Sequence, residues 1–188
     1  MTRRLAAFAL SAAVVLGASA CSTVDPPALT VGDYELSARD LRTDLKALAK
    51  AGVPFGPGVD ARGLLPGAVP ADYTRAWLTL QAQYEVFHRV AGEAGLVPTQ
   101  ADVDAEAQRL EALMKQGAVD GGDPWAALPE RLRNYLATRG AEAKAVTSAP
   151  NAEELRAKAV DLAGRINVDP RFGRWSLESF EVVDPSVG

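Results

Sequence analysis

The side chains able to do chemistry are few and far apart. The chain of 188 residues has one cysteine, Cys21, and one histidine, His88. A Cys/His zinc centre draws on four ligands or on three and a water, and this pair cannot supply them. A Ser-His-Asp triad would rest on His88 alone, and no carboxylate sits beside it on its own helical face. His88 therefore reads as a packed or solvated side chain. Carboxylates do gather, at Asp102, Asp104 and Glu106 and again at Glu153 and Glu154. Both groups fall in the opening turns of expected helices, where negative charge suits the positive end of the dipole. That reading outweighs a glycosidase or calcium site. No GxxxxGK[ST] or GxGxxG loop occurs, and Gly121-Gly122 leads into Asp-Pro-Trp as a loop. The inventory points away from an enzyme, and no cofactor or metal is expected.

Cys21 takes its meaning from what precedes it. "MTRR" is a short positive start, "LAAFALSAAVVLGASA" is an uncharged run, and "STVDPP" follows the cysteine. The run is shorter than the roughly 20 residues of a membrane-spanning helix and fits a secretory signal peptide over 1–20. Ala18, Ser19 and Ala20 before Cys21 resemble a bacterial lipobox, although Ala18 stands where Leu is usual. The resemblance implies a diacylglyceryl group on the Cys21 sulfur and cleavage before it by signal peptidase II. The other reading is a plain signal peptide cut after A-S-A, leaving an incidental thiol. With no second cysteine to pair with, an exposed thiol in an oxidising compartment favours the modified one. Arg3-Arg4 weakly resembles a twin-arginine signal, but the Sec route is favoured.

The whole chain carries 20 basic and 24 acidic residues, net −4. Loss of 1–20 would remove Arg3 and Arg4 and take the balance to about −6. Such a chain lacks the basic footprint of a nucleic-acid binder. Its charge would not hold it on anionic lipid either, so the expected membrane link is the lipid on Cys21.

The rest must form whatever that anchor presents. Residues 21–28 read as a tether and 29–188 as one domain. Leu29 and Val31, then Tyr34 and Leu36, alternate about Gly32-Asp33 as in a β-hairpin. Ser37 caps a helix over about 38–50, with Leu41, Leu45 and Leu48 in line and Gly52 ending it. Residues 52–70 hold four prolines and five glycines and read as a long loop that pins Leu64 and Leu65. The longest helix spans about 71–94. Tyr73, Trp77, Leu80, Tyr84, Phe87, Ala91 and Ala94 follow a 4-3 spacing, an aromatic stripe facing a partner. Thr99 and Asp102 open a third helix, a fourth spans about 126–146, and Asn151 caps a fifth with Leu155, Ala159, Leu162 and Ile166 in line. "NVDPRFGRW" reads as extended, and "FEVV" as one more short strand. The fold expected is mostly α: about five helices, with a small β element made by the N-terminal hairpin and the C-terminal extended segment.

Three segments together carry a resemblance. "ALTVGDYELSARDLRTDLKALA", "LVPTQADVDAEAQRL" and "VDPRFGRW" resemble, in order, the opening hairpin and helix, the Thr-led helix and the C-terminal signature of bacterial lipoproteins with a SurA-like N-terminal domain. The likeness implies that the two chain ends come together and that the long helices enclose an apolar, peptide-binding surface. Many SurA/PpiC-type chaperones insert a parvulin prolyl isomerase between helices. Residues 117–150 are too few for one, and its paired histidines are missing, so isomerase activity is not implied.

The function expected is an extracytoplasmic, lipid-anchored, chaperone-like protein that binds unfolded or translocated polypeptides without catalysis. Candidate peptide-binding residues are Trp77, Leu80, Tyr84, Phe87, Leu64 and Leu65, with Cys21 as the lipidation site. The stripe could equally be core. A structural or assembly lipoprotein holding one dedicated envelope partner, or a degenerate isomerase acting with a partner subunit, stands as the alternative.

Overall fold

A computed structural model describes residues 26–55, 69–118 and 121–186. Strand β1 (Pro27–Val31) turns at Gly32-Asp33 into β2 (Tyr34–Ser37). Gly32 has φ +62 and Asp33 does not share the positive φ, the pattern of a type II′ hairpin turn with glycine first. Ser37 Oγ then accepts from Asp40 N at 3.0 Å and starts α1 (Ala38–Ala51). Leu41, Leu45 and Leu48 are its buried face. Gly52, at φ +71, closes the helix with backbone bonds to Ala49 and Leu48.

Helix α2 (Ala71–Glu93) is the centre of the molecule. It packs against β1, α5 (Glu130–Thr147), α6 (Ala152–Ala163) and β5 (Glu181–Val183). Burial follows from that position. Tyr73, Trp77, Leu78, Ala82, Val86, Val90 and Ala91 are all shielded from solvent. An apolar arc this wide belongs to a helix with neighbours on several sides, not to one stripe. Within the expected stripe, Leu80, Tyr84 and Phe87 lie half-buried at the margin of that arc, and Ala94 is exposed.

Helix α3 (Gln100–Gly117) begins with a reciprocal capping box between Thr99 and Asp102 and packs on α5. The expected fourth helix is interrupted. A short α4 (Pro124–Ala127) stops before Pro129, and α5 starts after it. Proline disfavours helical geometry in the residue before it, and Leu128 is extended at φ −70, ψ 143. The fifth expected helix, α6, ends at Ala163 rather than running through Ile166. Ile166 instead opens β3 (Ile166–Val168), opposite Val31.

The chain ends meet in a three-stranded antiparallel sheet of order β2-β1-β3, with Leu29 opposite Leu36 on one side and Val168 on the other. The expected mostly α fold with its minor β element is thus found, built from both ends of the chain. A second small sheet pairs β4 (Arg174–Ser176) with β5. It docks on α2 through Val182 N donating to Thr79 Oγ1 at 2.8 Å and Gln83 Nε2 donating to the Phe180 carbonyl at 2.9 Å. No described helix is long and apolar enough to cross a membrane.

Candidate functional site

Two features stand out around α2: a buried polar row and an apolar cavity. The row follows from sequence spacing. Gln81, Glu85 and His88 are four and three residues apart, hence one above another on the helix. Gln81 accepts from Tyr34 Oη at 3.0 Å and donates to Asp44 Oδ2 at 3.3 Å. Asp44 is buried and forms an ion pair with Arg131 of α5. Glu85, 2% exposed, accepts from Tyr135 Oη at 3.0 Å and from Arg139 Nε at 3.2 Å. Arg139 Nη1 also reaches Glu142 Oε2 at 3.0 Å and His88 Nδ1 at 2.5 Å. Burial by itself would lower the Arg139 pKa, but Glu85 and Glu142 outweigh it and raise it. Burial and the Glu85 charge push the Tyr135 hydroxyl far above its usual range.

This row welds β2, α1, α2 and α5. His88 does have a carboxylate neighbour, Glu142 Oε2 at 3.0 Å, which α5 supplies. The expectation of no carboxylate on its own helical face also fails, because Glu85 stands three residues before it on α2. Among the described residues, no group of three His, Cys, Asp or Glu side chains is placed to hold a metal ion.

The cavity has a volume of about 280 Å³ and lies between the end of α1, α2, α3 and α5. Trp77 and Leu80 form its α2 wall, Leu110 and Met114 its α3 wall, and Val53 and Phe55 its edge. Tyr84 and Leu113 also line it, and Leu113 is 49% exposed, so the space opens to solvent past that residue. The aromatic wall is held by contacts rather than by chance. The Phe55 ring stands edge-on to Tyr73 at 4.8 Å and 5.9 Å from Trp77, whose other side meets Tyr135 at 6.3 Å. Tyr73 Oη donates to the Val53 carbonyl at 2.9 Å, which fixes the chain leaving α1. Trp77 Nε1 is buried with no hydrogen-bond partner among the described residues; such a donor costs about 1–3 kcal/mol.

Of the candidate peptide-binding residues, Trp77, Leu80 and Tyr84 come together at this cavity. Phe87 does not. It faces a separate apolar cavity of about 300 Å³ with Val146, Ala159, Val160 and Phe180. Leu64, Leu65 and Cys21 lie outside the described residues. Sequence reasoning missed Val53, Phe55, Leu110 and Met114 as cavity walls. The four-residue spacing of Leu110 and Met114 on α3 was the available signal. It also missed Glu106, read as a helix-start charge, which is 3% exposed and held by Arg109 Nε at 2.8 Å and Nη2 at 2.5 Å.

No protein-family model matches the chain, and comparison with curated proteins and with solved structures finds no match to it.

Proposed function

We propose that the chain is a lipid-anchored, extracytoplasmic binding protein of the SurA N-terminal type, which holds unfolded or translocated polypeptide without catalysis. The observation that carries the reading is the cavity of about 280 Å³, apolar on its α2 and α3 walls and reachable past Leu113. An apolar side chain entering it would bury apolar surface against those walls and gain about 25 cal/mol per Å². The anchor rests on the sequence around Cys21, and the family type rests on the three segments that resemble SurA-like lipoproteins. The polar row around Glu85 supports a holding role, because it stiffens the helices that form the cavity walls.

Aggregation of chemically unfolded client proteins, followed by light scattering with and without the purified chain, tests the reading. Suppression that depends on chain concentration is expected for several unrelated clients. Absence of suppression, together with capture of one envelope protein at fixed stoichiometry, would replace it with a dedicated assembly role.

A further inference from the structure

We infer that the cavity accepts the C-terminal end of a polypeptide, with an apolar last side chain in the apolar part and the free carboxylate at its cationic end. This rests on the polypeptide-binding reading above and names which part of the polypeptide is held. Tyr84 and Arg109 line the apolar cavity and also a second space of about 260 Å³, which Glu106, Gly140 and Lys144 share. Tyr84 and Arg109 thus form a wall common to an apolar space and a polar one.

The charges there are unevenly spent. Arg109 gives Nε and Nη2 to Glu106, while its Nη1 has no acceptor among the described residues. Lys144, exposed on α5, makes no ion pair with any described residue. Asp102 is the further acid that feels Lys144, but its carboxylate already accepts from Thr99 N at 2.9 Å and Thr99 Oγ1 at 2.6 Å. Burial pushes the Tyr84 hydroxyl up to about 12, so it stays a donor at neutral pH. Thr147 is already committed, its hydroxyl donating to the carbonyls of Ala143 and Lys144. What remains is a set of donors, Lys144 Nζ, Arg109 Nη1 and Tyr84 Oη, on residues that all line the space next to the apolar one. A carboxylate matches that set by charge and by hydrogen bonding. An internal stretch of neutral backbone would leave the Lys144 cation unmatched, since Arg109 is already paired with Glu106.

The test compares acetyl-Gly-Ala-Ala-Leu-Leu with a free C-terminus against the same peptide as its C-terminal amide, by calorimetric titration into the full chain. The free acid is expected to bind about five- to tenfold tighter, as a surface-accessible charged hydrogen bond allows. The difference should shrink with added salt and vanish in Lys144→Gln, a change on an exposed side chain that leaves the fold intact. Equal affinity of acid and amide would overturn the inference while leaving polypeptide binding in place. Decanoate that displaces the acid peptide in a Lys144-dependent way, and binds more tightly than it, would assign the site to acyl carboxylates and overturn it. Failure of both peptides to bind also overturns it, and client suppression then decides the broader reading separately.

Discussion

Gly140 of α5 faces Glu106 of α3 so closely that a Cβ on Gly140 would stand 2.5 Å from Glu106 Oε1 and 2.9 Å from its Cγ. The missing side chain is what lets a buried carboxylate and its Arg109 partner fit between two helices. Gly140→Ala should therefore destabilise the fold by about 1–3 kcal/mol through overpacking, even though alanine is the better helix former. Gly92, in the last turn of α2, is the control, because nothing lies within 4 Å of a Cβ there. Gly92→Ala should stabilise by about 0.5–1 kcal/mol. Urea denaturation of the two variants reads the opposite signs.

Arg139 is the cation that faces buried Glu85. Its side chain is 20% exposed and that of Glu85 only 3%. Arg139→Leu would leave Glu85 buried with Tyr135 as its remaining described partner, and should cost about 3–5 kcal/mol. A second change, Glu85→Leu, should recover part of that loss. Thermal melts of the single and double variants check both, and a double variant no more stable than Arg139→Leu would remove the pair from the account.

The regular elements were legible because each has a local cause. Ser37, Gly52 and Thr99 cap or close helices, and Gly32-Asp33 turns a hairpin. The break at Pro129 is equally local: proline holds Leu128 extended, although the leucine spacing runs on across it. The site was less legible because it depends on tertiary pairing. Glu142 reaches His88 from α5, 54 residues away in sequence. Val53 and Phe55 close the cavity only because Tyr73 Oη holds the Val53 carbonyl. Periodicity placed Trp77, Leu80 and Phe87 on one helix face, but the neighbours of α2 divide that face between two cavities.

Acid should weaken the fold partly through helix caps. The Thr99 hydroxyl and backbone N–H hold the Asp102 pKa below its ordinary 3.8. A depressed folded-state pKa stabilises fully above the unfolded value and ceases to as pH falls through the folded one. The contribution of Asp102 is therefore complete at neutral pH, starts to fall near pH 4 and is lost as pH drops through the lower folded-state value. Asp102→Asn should lower the urea midpoint at pH 7 and leave a smaller further fall between pH 5 and pH 3 than the parent shows. Parallel denaturation curves at the three pH values measure it.

Membrane attachment is proposed to run through the Cys21 sulfur. Cys21→Ala in the producing bacterium should move the chain from the detergent phase to the aqueous phase in detergent phase partitioning. Continued partition of the variant into the detergent phase would place the attachment elsewhere.

The chain has two methionines, Met1 and Met114, and Met114 lines the cavity. Methyl carbon-13 labelling of methionine therefore puts a single reporter inside the proposed binding space. On titration with an unfolded client polypeptide, the Met114 methyl resonance should shift and saturate at the client concentration that suppresses aggregation. Suppression at full strength with the Met114 resonance unmoved would contradict the account, because the client would then be held somewhere other than this cavity.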